Sequence, residues 1–141
     1  MAIKLPIDLS DISQQALEQV AAQLPGRASR ASNALRNSIM EVLSGERSGK
    51  TYRRPTGGTY VASAPGEPPA WRTGTLAKSW RPIIYGENHQ NPAIESNVQY
   101  AWLDEGSPGG KIKPRPYEQK TIDAAMPEIE AIYSEPFDLD L

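Results

Sequence analysis

Residues Ser44–Trp80 read SGERSGKTYRRPTGGTYVASAPGEPPAWRTGTLAKSW, and they decide how the rest of the 141-residue chain must be arranged. Glycine and proline recur through this stretch, which excludes a regular helix or a central strand over most of its length. Extended through Arg81, it carries seven basic residues (Arg47, Lys50, Arg53, Arg54, Arg72, Lys78 and Arg81) against two acidic ones, Glu46 and Glu67. That is a local charge of +5 in a protein whose net charge is −2. Compact domains keep so long an irregular segment when it binds, assembles or moves. One short strand is expected inside it, at Thr59–Ser63. The stretch separates a helical N-terminal third from a remainder of strands and helices.

Working outward toward the N-terminus, apolar or small residues recur at Ile12, Leu17, Val20, Leu24, Ala28, Ala31, Leu35, Ile39 and Val42. Steps of three and four mark one face of a helix, expected over residues 9–44. Asp8 or Ser10 suits its N-cap, and Asp11 in the first turn suits the helix dipole. Pro25-Gly26 interrupts the stripe without shifting its phase, so one long helix kinks there or two helices meet with aligned faces. Gly45 is the expected stop.

Toward the C-terminus, Thr73 caps a short helix from Gly74 to about Trp80, with Leu76 and Trp80 on one face. Pro82–Tyr85 and Ala93–Asn97 read as two short strands joined by the polar turn GENHQNP. Asn97 caps a one- or two-turn helix ending at Gly106. Pro116 suits the first position of a final helix over 116–134, with Glu118 in its first turn. Ile122, Ala125, Ile129 and Ile132 line its inner face, and Pro127 kinks it. The tail after Pro136, FDLDL, is a strand or a docked arm.

The expected fold is therefore α+β in a single domain spanning 1–141. A long or kinked N-terminal helix and a C-terminal helix pack on a small, mainly antiparallel sheet. A long basic loop (45–72) projects, short helices and strands fill 73–115, and 135–141 form the tail.

The chemistry is defined as much by what is missing. There is no cysteine, so disulfides, thiolate ligands and thiol nucleophiles are excluded. The single histidine, His89, lies in a polar turn, which leaves no nucleophile–base pair to assemble. GSPGGK lacks the spacing of a phosphate-binding loop, since Ile112 follows Lys111. No catalytic, cofactor-binding or metal-binding residues are expected. No run of 18 apolar residues exists, and the N-terminus lacks the apolar core of a signal peptide, so neither a membrane span nor a leader is expected. Charge is distributed unevenly: residues 116–141 hold seven acids against Lys120 alone, a local charge of −6. A basic middle and an acidic end suit head-to-tail contact between copies, or contact with two partners.

Two segments, read in order, resemble a known family. The first contains Pro68-Pro69, Thr73-Gly74, Leu76 and Ser79, in the pattern P-P-x-x-x-T-G-x-L-x-x-S. The second contains Tyr100-Ala101, Glu105, Gly106 and Ser107, followed by Arg115, Pro116 and Tyr117 opening the last helix. This ordered set resembles the small tail-completion, or head–tail joining, proteins of long-tailed bacteriophages; Trp80 and Glu118-Gln119 depart from the usual pattern. The resemblance covers about residues 44–132.

It implies a structural virion protein of the neck, made in the host cytoplasm. Such a protein forms a ring, six-fold by analogy with the tail, that completes the tail and joins it to the head. Its implied partners are itself, a head-side connector or stopper, and a tail-side terminator or tail tube. Viral DNA would pass through the lumen without sequence readout. Arg47, Lys50, Arg53, Arg54, Arg72 and Lys78 would then form an assembly loop, meeting acids such as Glu128 or Glu130 of a neighbour, or would line the DNA channel. The competing reading is a small DNA-binding protein that uses 47–54 as a phosphate-contacting arm. The acidic pI and the lack of a recognition helix weigh against that reading.

Overall fold

A computed structural model of the chain describes residues 1–10, 14–55, 57–70, 75–98 and 114–140. The order of elements is β1 (Ala2–Lys4), α1 (Gln14–Ser44), β2 (Thr51–Arg53), β3 (Thr59–Val61), α2 (Thr75–Lys78), β4 (Arg81–Tyr85), β5 (Asn91–Glu95) and α3 (Glu118–Ser134). The fold is α+β, built on two long helices and two small antiparallel sheets. Among the described residues no helix is long and apolar enough to cross a membrane.

The α1 stripe folds as one continuous 31-residue helix with Pro25 inside it. Val20, Leu24, Ala28, Ala31, Leu35 and Ile39 are buried, as their spacing requires. At the C-terminal end Leu43 is the buried residue, and Val42 packs only partly against the core. The fully buried Ala28 and Ala31 leave room for close neighbours. α1 packs against α3 along one side and against β4 and β5 along another.

The main sheet has the order β1-β5-β4, antiparallel throughout. Its two longer strands are the hairpin expected from the sequence, with β4 beginning at Arg81 and β5 covering Asn91–Glu95. Gly86 (φ +103°) starts the connecting turn, where a Cβ would come within 2.7 Å of the Asn91 side-chain amide. His89 is exposed in this turn. Ser32 fastens the sheet to α1: its hydroxyl donates to Ile83 O (2.6 Å) and accepts from Ala93 N–H (3.1 Å). β1 extends the sheet through Ile3, which pairs with Ile94 and is fully buried.

α2 presents Leu76 and Ala77 to the core, and Trp80 follows at 1 % exposure. Trp80 meets Tyr117 edge-on, with centroids 6.0 Å apart. Its indole Nε1 is buried with no hydrogen-bond acceptor among the described residues. α3 starts at Glu118, so Pro116 stands ahead of the helix instead of opening it; Tyr117 occupies the N-cap, with no capping bond from its side chain. The buried Thr121 returns both its amide and its hydroxyl to Tyr117 O (2.9 and 2.6 Å). Ala125, Ile129 and Ile132 are buried as expected, and Ile122 is partly so. Pro127 lies on the exposed side of the helix.

Candidate assembly surface: the basic hairpin and the acidic arm

Residues 45–70 hold a second hairpin that the sequence showed only in part. β3 appears at Thr59–Val61, as expected, and β2 is its unforeseen partner. The register pairs Thr51 with Val61, Tyr52 with Tyr60 and Arg53 with Thr59. The ladder continues through Gly49 N–H to Ala62 O (2.8 Å), Ala62 N–H to Lys50 O (2.8 Å) and Arg54 N–H to Gly58 O (2.9 Å). Gly49 is required by contact, because a Cβ there would lie 2.5 Å from Ala62 O. Tyr52 and Tyr60, paired across the ladder, stack at 5.6 Å.

Two side chains hold the base of this hairpin. Arg47 donates to Pro68 O (2.6 Å), Val42 O (2.7 Å), Pro69 O (3.1 Å) and Glu46 O (2.9 Å), so its guanidinium joins the end of α1 to the Pro68-Pro69 segment. Burial pushes its pKa down, and the nearby Glu67 charge opposes that. Glu67 accepts from Ala64 N–H (2.7 Å), Ser48 N–H (2.9 Å) and the Ser48 hydroxyl (2.8 Å). Those donors, the Ala64 amide foremost, hold its carboxyl down at about 2. Gly66 N–H reaches Pro114 O (3.1 Å), and Arg115 Nε donates to the Ser63 hydroxyl (2.8 Å), so the start of the C-terminal segment lies against the loop.

The basic cluster is thus divided. Arg47 is a structural staple. Lys50 and Arg53 are exposed on the hairpin, and Lys78 is exposed in the last turn of α2. Arg54 is half-buried with its guanidinium over the Tyr60 ring at 5.8 Å; its Nε is buried and has no acceptor among the described residues. A groove of about 560 Å³ opens there, between the α1 terminus (Ser44–Arg47) and Arg54, Tyr60 and Val61.

The motif residues fall into the frame. Pro69 is buried and Pro68 partly so, both accepting from Arg47. Leu76 is buried; the Ser79 hydroxyl bonds Leu76 O and lies 2.6 Å from that of Ser96. Tyr117 is fully buried and Pro116 partly so. Arg72, Thr73, Gly74, Tyr100, Ala101, Glu105 and Gly106 lie outside the described residues, as do 99–106 of the helix expected after Asn97 and 11–13 of the N-terminal helix, whose expected first residues, Leu9 and Ser10, are not helical.

At the other end of α1, the acidic tail is a docked arm. Arg27, buried on α1, donates to Ile132 O (3.0 Å), Glu135 O (2.5 Å) and Pro136 O (2.8 Å), closing the C-terminus of α3. Its guanidinium also lies 3.7 Å from the Phe137 ring centroid. Arg30 forms a two-pronged ion pair with Glu135. Beyond, Gln23 exchanges two bonds with the backbone of Asp138 (2.6 and 2.9 Å), and Gln19 does the same with Asp140 (2.8 and 2.6 Å). Residues four apart on a helix rise about 6 Å, and residues two apart on a strand about 6.6 Å. Two glutamines one turn apart therefore match alternate residues of an extended arm. Nothing in the sequence marked Gln19, Gln23 or Arg27 as anything but solvated helix positions; the only signal was a tail alternating Phe, Asp, Leu and Asp.

Compared with protein-family models, with curated proteins and with solved structures, the chain matches none.

Proposed function

We propose that this chain is a structural protein of a bacteriophage neck, which forms a ring that completes the tail and joins it to the head around the passing DNA. The observation that carries the reading is the fate of the two resemblance segments. Their described parts, 75–80 and 114–125, meet at Trp80 and Tyr117 within one core cluster and build a frame. That frame holds the basic hairpin by its base and leaves its strands outside the core, as an assembly module needs. The basic hairpin and the acidic arm lie at opposite ends of α1. A contact between unlike patches is heterologous, and it closes into a ring when the rotation between copies allows.

The DNA-arm reading is weaker, because Arg47, one of its four cations, is engaged by four protein carbonyls. A reconstruction of an assembled neck tests the proposal. The expected result is a closed ring of this chain between portal and tail tube; a neck in which it touches no copy of itself overturns it. Charge reversal at Arg53 and Arg54 to Glu distinguishes the two uses of the hairpin. Failure of ring formation indicates contact between copies. Rings that form but lose DNA indicate a channel lining.

A further inference from the structure

The hairpin groove and the acidic arm are complementary, yet they cannot meet within one copy. The groove lies at Ser44 and beyond, where Arg54 Nε is buried with no acceptor among the described residues. The arm leaves α3 at Pro136, held there by Arg27. From Arg27 to Ser44 the axis of α1 rises roughly 25 Å at ~1.5 Å per residue. Asp140 stands four residues after Pro136, a reach of at most roughly 14 Å when fully extended. Even released from the glutamines, the Asp138 and Asp140 carboxylates fall short of the groove of their own copy.

Each patch also carries apolar surface left uncovered. Among the described residues four large hydrophobic side chains are exposed, and three of them are here: Tyr52 and Val61 on the hairpin, and Leu139 on the arm. The backbone groups of Asp138 and Asp140 face α1, and among the described residues no hydrogen bond engages those of Phe137 or Leu139. The arm therefore offers an open backbone edge, flanked by two carboxylates and exposed Leu139. The hairpin offers Lys50, Arg53, Arg54 and an exposed ribbon of two strands. Open edges of this kind pair with extended segments from other chains.

We propose that the groove between the α1 terminus and the β2–β3 hairpin receives the C-terminal arm of a second copy. A carboxylate of Asp138 or Asp140 meets Arg54, and Leu139 covers Val61. This names the contact that would propagate the proposed ring and rests on that reading for its place in the virion. The contact itself is tested apart from any ring.

A fluorescent peptide of residues 135–141 is titrated against the full-length protein, whose own arm stays on the glutamines, with anisotropy as the readout. The expected outcome is saturable binding, weakened about tenfold or more by Arg54→Gln, as for loss of a charge-assisted pair worth ~1.4 kcal/mol. A peptide with both aspartates changed to Asn should weaken to the same degree against the unaltered protein, which keeps the test sound if Arg54→Gln disturbs the hairpin. Gln19→Ala with Gln23→Ala, which frees the resident arm to compete from other copies, should leave the dependence on Arg54 in place. No binding up to about 1 mM peptide, the limit of a weak specific contact, overturns the proposal. So does binding that depends on the glutamines and not on Arg54, because the peptide would then only replace the resident arm. A virion ring that still assembles with an arm-truncated protein removes this contact and leaves the neck reading intact. Peptide binding by a chain that never contacts another copy in the virion does the reverse.

Discussion

Among the described residues, two hairpins have nearly opposite character. β4–β5 is apolar and proline-bearing, lies against α1, and gains a third strand from β1. β2–β3 is polar, aromatic and basic, exposed on most of its residues, and has no third strand among the described residues. A two-stranded ribbon is marginal in water without something to pack on. The first hairpin is held by the burial of β5 against the core, the second by hydrogen bonds at its base that Arg47 donates and Glu67 accepts. A ribbon anchored at one end keeps its edges and faces free, which burial would have removed. The difference explains why assembly is ascribed to the second hairpin and fold to the first.

The comparison breaks most severely at Trp80. It is 1 % exposed and packs on Tyr117 within the one core cluster. Trp80→Ala should cost about 3–5 kcal/mol by truncating a large buried side chain. Urea unfolding followed by circular dichroism should show it, and both hairpins should be lost together. A midpoint close to that of the parent protein would mean that Trp80 does not organise the core.

Ser32 and Arg47 perform the same task for different hairpins, and their loss should differ in size and in place. Ser32→Ala leaves Ile83 O and Ala93 N–H without the hydroxyl beneath the sheet, where water is excluded, and should cost about 1–3 kcal/mol of global stability. Arg47→Ala exposes carbonyls that water can reach, so the global cost should be smaller, about 1 kcal/mol. Its effect should be local. Hydrogen exchange at the Gly49 and Ala62 amides should accelerate while that at Leu5 and Ser96, which bond across the main sheet, stays unchanged. Equal acceleration at both sets would show that the hairpins unfold as one unit.

What the sequence revealed follows the same division. α1 and α3 were legible because their apolar residues repeat with the helical period, and β4 and β5 because two short apolar runs flank a polar turn. β1 was not, because three residues carry no periodicity and its partner is distant in sequence, Ile3 against Ile94. β2 was hidden because TYR is wholly exposed and presents no buried face. The arm site was hidden for a different reason. Gln19, Gln23 and Arg27 become binding groups only when α3 delivers the tail to them, and that depends on tertiary packing. Arg47, which composition placed with the other cations, is fixed by where the carbonyl of Val42 in α1 converges with those of Pro68 and Pro69.

The smallest expected effect, and the most local, is the response of the hairpin base to acid. Hydrogen bonds from Ala64 N–H, then from Ser48 N–H and its hydroxyl, lower the Glu67 pKa from 4.5 to about 2 in the folded protein. A carboxyl depressed by folding stabilises the folded state fully above its unfolded value and loses that contribution as pH falls through the folded one. The base of β2–β3 should therefore loosen between about pH 4.5 and pH 2, not at neutral pH. Glu135 is shifted the same way, chiefly by its hydrogen bond from Arg30, so acid also weakens the arm at the other end of α1. Glu67→Gln separates the two. Followed by NMR, the Ser48 and Ala64 amide shifts should titrate with a midpoint near 2 in the parent and lose that step in the variant, while arm residues respond in both. A Glu67 midpoint near 4.5 would show that the carboxylate does not hold the hairpin, and its base would then depend on Arg47 alone.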